Sequence, residues 1–219
     1  MAGLVRRIFV IVAGFLFLTG AARAADQDLS INARLLLAAR NGDAAGLDRA
    51  LTAGASVNSR NRLGETALLI ALGKNDVPVA KTMLAAGTDV NLVAVNGVSP
   101  LMAAAYTGQV EMAAALLAKG ADINAQDRLK KNAMTYAAGA GNTEIVMMLI
   151  AKGVDPNAVY NNDLTALMWA AGFGKSATVS ALLAAGARPD LKDNRDKTAL
   201  EIAQDGKYHE TAKLLEGLR

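Results

Sequence analysis

The sequence predicts an all-α protein, a solenoid of about six stacked helix-turn-helix units. Glycine recurs every 33 residues at the end of an apolar run, at Gly54, Gly87, Gly120, Gly153 and Gly186. Each period also contains two apolar runs with helical spacing, and the units at both ends of the chain are more polar. One such unit cannot cover its own apolar faces, so the units have to stack on their neighbours.

The first helix of each unit begins in the same phase of the repeat, as in TALLIA (66–71) and SPLMAA (99–104). A hydroxyl at the start of the run can accept a hydrogen bond from a free backbone N–H group of the first turn. Pro100 also suits a first turn, because no N–H partner is lost there. A hydroxyl residue precedes four of the five copies, namely Thr66, Ser99, Thr165 and Thr198.

A tight turn and a second apolar helix follow, as in VEMAAALLA (110–118). Gly108, Gly141 and Gly174 allow the sharp turn between the helices, and Asn75 can visit the same left-handed region. The periodic glycine then ends the second helix in a left-handed cap. The predicted units are about 31–63, 64–96, 97–129, 130–162, 163–195 and 196–219.

The outermost units predict solvent-facing caps. In the last unit the polar Glu201 stands where inner units carry Leu69 or Met102. In the first unit, polar residues such as Arg34 and Arg40 surround the leucines at 35–37. Terminal repeats of a solenoid need such a polar outer face.

The first 24 residues predict a cleavable signal peptide, which leaves 25–219 as the repeat domain. Arg6 and Arg7 precede an 11-residue apolar run (8–18), and an A-x-A cleavage pattern ends at Ala24. A membrane anchor is disfavoured, because a run of this length at about 1.5 Å per residue cannot cross a core of about 30 Å. The very apolar run favours the general secretory route over twin-arginine export, and no later stretch predicts a stable membrane anchor.

The absence of cysteine and the balance of charges narrow the cellular location and the class of function further. The chain has no cysteine, so it can have neither disulfides nor a lipidated cysteine, and with the export signal this suits a bacterial periplasm. There are 23 Lys and Arg residues against 20 Asp and Glu. Three of the basic residues lie in the first 24 positions, which leaves a balance of zero in the remainder. Nucleic-acid binding is therefore disfavoured.

Motifs for catalysis are weak, and we expect no enzyme activity, no cofactor and no metal. GFGKS (172–176) ends like a phosphate loop, but Trp169 stands at the position of the required first glycine. The acids Asp190, Asp193 and Asp196 lack the glycine and glutamate of a calcium loop, so a solvated loop is favoured. His209 is the only histidine and predicts an exposed residue of the last unit. Trp169 stands at a repeat position that is mostly apolar in the other units, which predicts that it packs in the core.

The repeated pattern resembles the ankyrin repeat family over about 31–219. GVSPLMAAAYTGQVEMAAALLAKGADINA (97–125) is similar to the family pattern G-x-T-P-L-H-x-A-A-x-x-G-H-x-E-x-V-x-x-L-L-x-x-G-A-D-V-N-A. The two histidines of that pattern are absent, so capping and packing must compensate. The first is replaced by Leu69, Met102, Thr135, Met168 and Glu201, and the second by Asp76, Gln109, Asn142, Lys175 and Tyr208.

The resemblance implies that the extended loops form short β-hairpin fingers, which line a concave face together with the first helices. Partners of the family bind that face. In the second finger, Asn96-Gly97 predicts a two-residue hairpin turn flanked by apolar residues, which either form a contact patch or pack on a neighbouring finger. The predicted protein-binding residues are Arg62, Leu63, Lys74, Val93, Val95, Tyr106, Thr107, Arg128, Leu129, Lys131, Tyr160, Asn161 and Phe173.

The function expected from this pattern is a non-catalytic, monomeric module that binds a partner protein in the periplasm. One alternative is a secreted effector that binds a host protein. A less favoured alternative is an enzyme or small-ligand binder that uses carboxylates in the groove. The identity of the partner does not follow from the sequence.

Overall fold

The computed structural model describes residues 29–218, so the predicted signal peptide lies outside the described residues. This part of the chain contains twelve α-helices that pair into six helix-turn-helix units. Each unit packs its first helix on the first helix of the next unit, and its second helix on the next second helix. The predicted all-α solenoid is therefore confirmed.

The helices are numbered here along the chain, so that odd-numbered helices come first in their units and even-numbered helices second. They are α1 (Ile31–Asn41), α2 (Ala44–Thr52), α3 (Ala67–Gly73), α4 (Val77–Ala85), α5 (Pro100–Thr107), α6 (Val110–Ala118), α7 (Ala133–Ala140), α8 (Thr143–Ala151), α9 (Ala166–Gly172), α10 (Ser176–Ala184), α11 (Ala199–Asp205) and α12 (His209–Leu215). One turn of 3-10 helix, Asn161–Asp163, lies in the loop between α8 and α9.

Side-chain caps fix where the first helices begin, as the sequence predicts. Thr66 Oγ1 accepts a hydrogen bond from Leu69 N at 3.2 Å, and Ser99 Oγ accepts one from Met102 N at the same distance. Thr165 and Thr198 cap α9 and α11 in the same way. Asn132 Oδ1 caps α7 by accepting from Thr135 N at 3.1 Å. Each cap satisfies one of the N–H groups that the first turn leaves without a helical partner.

Left-handed residues make the turns within each unit, which also agrees with the prediction. The backbone angle φ is 75° at Gly108, 87° at Gly141 and 63° at Gly174, and it is 58° at Asn75. The glycines that follow the second helices are left-handed as well, with φ between 82° and 94° at Gly54, Gly87, Gly120, Gly153 and Gly186. The 33-residue glycine spacing therefore reflects a backbone requirement that recurs once in each unit.

Small residues let the first helices approach one another closely. Ala104, Ala137 and Ala170 each have 0% of their surface exposed. The second helices add a leucine stripe in which Leu116, Leu149 and Leu182 are equally buried. Because equivalent positions of successive units touch, the core runs along the solenoid as one continuous cluster.

The finger loops differ from the predicted β-hairpins, because no strand occurs within residues 29–218. Each finger is closed by a pair of backbone hydrogen bonds, such as Ala94 N to Val98 O at 3.0 Å and Gly97 N to Ala94 O at 2.8 Å. The predicted two-residue turn at Asn96-Gly97 is wrong, since it would need a positive φ at both residues and only Gly97, at 86°, has one. Three residues lie between Ala94 and Val98, and the arms beyond them are too short for a ladder.

Backbone hydrogen bonds also join neighbouring fingers. Val95 N donates to Leu63 O at 2.7 Å, and Arg128 N donates to Asn96 O at 3.0 Å. A Cβ atom on Gly97 would lie 2.9 Å from Arg128 N, so this position has to be glycine for the fingers to approach. The described backbone hydrogen bonds include none between the third finger and the fourth, which holds the 3-10 turn. The row of fingers is thus interrupted at that point.

Candidate functional site

Most of the predicted contact residues lie on the surface formed by the fingers and the ends of the first helices. Ten of the thirteen are exposed. Seven of these belong to fingers and three to the ends of first helices, and together they are Arg62, Leu63, Lys74, Val93, Val95, Tyr106, Arg128, Leu129, Asn161 and Phe173. The remaining three, Thr107, Lys131 and Tyr160, are partly buried.

Three apolar side chains protrude from the first three fingers. Leu63 and Leu129 are each 62% exposed, and Val95 is 50% exposed. A Cβ atom on Gly64 would lie 3.2 Å from Val95 Cγ2, so Val95 rests on the preceding finger while half of its surface faces solvent. Val95 therefore packs on a neighbouring finger and also offers an exposed surface for contact.

Thr107 and Tyr160 have internal roles that limit their contact surface. The Thr107 hydroxyl donates to Ala103 O at 2.8 Å and accepts from Gln109 Nε2 at 2.6 Å. Tyr160 lies at the base of its finger, where its backbone N–H donates to Leu164 O, and its hydroxyl oxygen is buried. Burial also raises the pKa of Tyr160. Tyr160 is therefore a packing residue more than a finger-tip contact.

The structure brings four aromatic side chains together on the first-helix side of the central units. Tyr106 meets Tyr136 edge to face, with ring centroids 6.1 Å apart. Trp169 stacks on Phe173 at 6.0 Å with an interplanar angle of 8°. Together they line an open cavity of about 500 Å³, which is called the aromatic groove below. Its lining is Tyr106, Lys131, Thr135, Tyr136, Gly139, Ala140, Trp169, Phe173 and Lys175.

The electrostatic character of the aromatic groove is basic. Lys131 Nζ lies 4.8 Å from the ring centroid of Tyr136 and 6.0 Å from that of Trp169, within the range of cation–π attraction. Lys175 contributes a second ammonium group, and none of the lining residues carries a carboxylate. The Tyr136 hydroxyl donates to Asp127 Oδ2 at 2.8 Å. Burial, together with this hydrogen bond, raises the pKa of Tyr136 well above its ordinary value, so the phenol stays neutral at physiological pH.

The repeat frame explains how the aromatic groove forms. Tyr136 and Trp169 are 33 residues apart and occupy the same place on α7 and α9. Gly139 occupies on α7 the place that Tyr106 has on α5. A Cβ atom on Gly139 would lie 3.5 Å from Phe173 Cδ2. The missing side chain therefore leaves open the space between Tyr106 and Phe173.

Sequence reasoning named Tyr106, Lys131 and Phe173 but not the rest of this lining. Trp169 was expected in the core; it packs on the core and also lines the groove, with part of its surface exposed. Tyr136, Gly139 and Lys175 were not predicted as site residues. One signal was present in the sequence, because four of the six aromatic residues in 29–218 belong to the first helices, or the turns after them, of three successive units.

The acidic loop near the C-terminus is a structural feature. Asp193 is 5% exposed, so the expectation of a fully solvated loop is wrong for this residue. It accepts hydrogen bonds from Arg195 N at 2.9 Å and Lys197 N at 3.0 Å, and it forms an ion pair with Arg195. Burial opposes ionisation, but these hydrogen bonds hold the pKa of Asp193 below its usual value. His209 is exposed at the start of α12, as expected.

Two further findings concern the described residues alone. No group of three or more His, Cys, Asp or Glu side chains in 29–218 is arranged to hold a metal ion. None of the helices in the same range has the length and apolar character needed to cross a bilayer.

Fold and surface together define a class, a solenoid of tandem helical repeats with an exposed, partly apolar face. The family model for ankyrin repeats (3 copies) matches residues 35–127 and 129–217. The chain belongs to the ankyrin repeat family. Repeats of this family are generally protein–protein interaction modules and are typically not catalytic. No curated protein matches the chain.

Proposed function

We propose that this protein is a non-catalytic module that binds a partner protein in the periplasm through its fingers and first helices. The observation that carries the proposal is a set of exposed apolar side chains on the fingers and at the ends of the first helices. Leu63, Val95 and Leu129 protrude from the fingers, and at the ends of first helices Tyr106 and Phe173 are 62% and 51% exposed. Aromatic anchors of this kind contribute most to protein interfaces.

The way the surface is built supports a preformed binding face. The first three fingers are linked to one another by backbone hydrogen bonds. The first helices pack through buried alanines such as Ala137 and Ala170. A face held in this way loses little conformational entropy when it binds.

The alternative of an enzyme or small-ligand binder with groove carboxylates has less support. Asp127, which contacts the groove residue Tyr136, is buried and directs its carboxylate to the Tyr136 hydroxyl and to backbone N–H groups. A general acid or base needs to reach a substrate proton. Binding by surface contact is therefore the function that we propose.

Export to the periplasm is proposed from the N-terminal sequence. Fractionation of cells that express the full chain with a C-terminal tag tests it. In the periplasmic fraction we expect a processed form whose first residue is Ala25. Recovery mainly from the culture medium would favour the alternative of a secreted effector, and an unprocessed cytoplasmic form would contradict both.

Affinity capture from periplasmic extract tests the binding face. The bait is the chain 25–219, compared with the variants Val95→Asp and Phe173→Ala. The matched control is Met147→Glu on the second-helix side, where Met147 is 38% exposed. We expect the control to retain the captured protein and at least one of the other variants to lose it. Equal capture by all four forms would contradict the proposed face.

A further inference from the structure

We infer that the aromatic groove recognises an acidic peptide segment that presents an aromatic or long aliphatic side chain. This inference rests on the proposed protein-binding function and makes it more specific, because it names the site and the chemistry of the bound segment. The apolar character of the lining, its charge and its length lead to this ligand.

The apolar part of the lining calls for an apolar side chain. Tyr106 and Phe173 stand at opposite ends of the groove, and each leaves more than half of its surface exposed. Gly139 and Ala140 lie between them and offer little side-chain bulk. An aromatic or long aliphatic residue fits this space, because ring–ring and ring–methyl contacts add to the gain from burial.

The charge of the lining determines what must flank that side chain. Lys131 and Lys175 both line the groove, and within the described chain neither forms an ion pair. Lys131 already lies over the ring of Tyr136, so a basic ligand would meet a like charge at the aromatic face. Carboxylates beside the apolar residue would instead pair with the two ammonium groups, which favours the correct partner and steers its approach.

The length of the groove favours an extended segment. Its lining comes from three successive units, from Tyr106 in the third to Phe173 in the fifth. Neighbouring helices pack about 8–10 Å apart, so the groove is about 16–20 Å long, which matches about five or six extended residues at about 3.3 Å each. A hexapeptide is therefore long enough to contact both ends of the groove and both lysines.

Trp169 provides a direct measurement, because it is the only tryptophan in the chain and it lines the groove. The probe is the acetylated and amidated hexapeptide Asp-Asp-Phe-Leu-Asp-Asp, which has no tyrosine or tryptophan of its own. We expect its titration to change the emission of Trp169 and to saturate below about 1 mM, with weaker binding at higher salt. The controls are one peptide with Lys in place of each Asp and one with Ala in place of Phe and Leu, and neither should saturate.

Variants of side chains that line the groove test the two parts of the site, since Phe173 is exposed and Lys131 and Lys175 are only partly buried. We expect Phe173→Ala, and separately the pair Lys131→Gln with Lys175→Gln, to weaken binding of the probe about tenfold, a change within the range of a lost aromatic anchor or two exposed ion pairs. The matched control is the pair Lys119→Gln with Lys152→Gln, since both lysines are exposed next to second helices. That pair should bind like the unchanged chain.

Three results would overturn the inference: no change in Trp169 emission with the acidic probe, equal binding of the basic peptide, or equal weakening by the control pair. The capture experiment separates this failure from that of the proposed function. If periplasmic capture depends on Val95 but not on Phe173 or the two groove lysines, the binding function stands and the groove is not its site. If capture depends on none of them, both proposals fail.

Discussion

At the base of the third finger, the buried carboxylate of Asp127 organises the backbone. Its Oδ1 accepts from Leu129 N and Lys131 N, both at 2.8 Å, while Oδ2 accepts from the Tyr136 hydroxyl. Asn61 and Asp193 make the equivalent backbone hydrogen bonds in the first and fifth fingers. The second and fourth fingers have Ala94 and Tyr160 at this position and therefore lack these two hydrogen bonds.

The substitution Asp127→Ala should lower the free energy of unfolding by about 1–2 kcal/mol, because it leaves three partly buried donors without their acceptor. Urea denaturation followed by circular dichroism measures this. Asp127→Asn is the control, since its side-chain oxygen can still accept from Leu129 and Lys131, and it should lose less than half as much. Equal losses for the two variants would show that the negative charge, and not the acceptor geometry, holds the finger.

The same fingers contain a left-handed residue at every 33rd position. It is glycine in the first two, with φ of 74° at Gly64 and 86° at Gly97. In the third it is Lys130, with φ of 60°. A side chain is unfavourable in this region, because the Cβ atom approaches the following carbonyl oxygen.

Lys130→Gly should therefore raise the free energy of unfolding by about 0.5–1 kcal/mol, the balance of relieved strain against a more flexible unfolded chain. Lys130→Ala is the control, because it removes the charge and keeps the strain, and it should change stability very little. Thermal melts of the three forms at low protein concentration decide the question. A gain with alanine equal to that with glycine would mean that charge, not backbone strain, is relieved.

At the scale of the helix, side chains that replace the two family histidines make hydrogen bonds to backbone groups. At the first histidine position, Met102 Sδ and Met168 Sδ accept from the backbone N–H of the capping residue at 3.4 Å. Glu201 Oε2 accepts from Thr198 N at 2.7 Å, which lowers the pKa of Glu201. At the second position, Gln109 Nε2 donates to Leu72 O at 2.7 Å in the preceding unit. Hydrogen bonds from methionine, glutamate and glutamine side chains therefore occupy several of these positions.

Asn142 is the clearest of these links between units. Its Nδ2 group donates to Ala105 O at 2.7 Å and Tyr106 O at 2.9 Å, which are carbonyls in the last turn of α5. Asn142→Ala should lower the free energy of unfolding by about 1–2 kcal/mol, because these carbonyls lose their donor. Urea denaturation provides the measurement. Lys175→Ala, at the same repeat position without such a link, should have a smaller effect, and the opposite order would contradict this role.

The elements could be predicted from the sequence because their causes are local. Caps such as Thr66 and turn residues such as Gly108 specify where a helix begins or turns, and the 33-residue period repeats them. The aromatic groove could not be predicted in the same way, because Tyr106, Tyr136 and Trp169 come from three units. Their proximity depends on how the units stack, and an apolar column in the sequence looks the same whether it is buried or lines a groove.

At the scale of the whole molecule, each unit is stabilised mainly by the units on either side of it. Helix α7, for example, packs on α5 and α9, whereas α11 packs on α9 alone among the first helices. Stability in such an array is close to a sum of unit terms and interface terms. A substitution that destabilises a central unit weakens two interfaces between units, while one in the last described unit weakens a single interface.

Leu149 and Leu215 allow a matched test of this coupling, because they hold the same repeat position and are 0% and 2% exposed. Leu149→Ala should remove about 3–5 kcal/mol, near the upper end for a leucine truncated to alanine, because the cavity opens between two neighbours. Leu215→Ala should remove about 2–3 kcal/mol and act mainly on α11 and α12. Hydrogen exchange resolved by peptide measures both effects. We expect Leu215→Ala to speed exchange only near the C-terminus and Leu149→Ala to speed it across the central units. Uniformly faster exchange in both variants would instead mean that the six units unfold as one cooperative block.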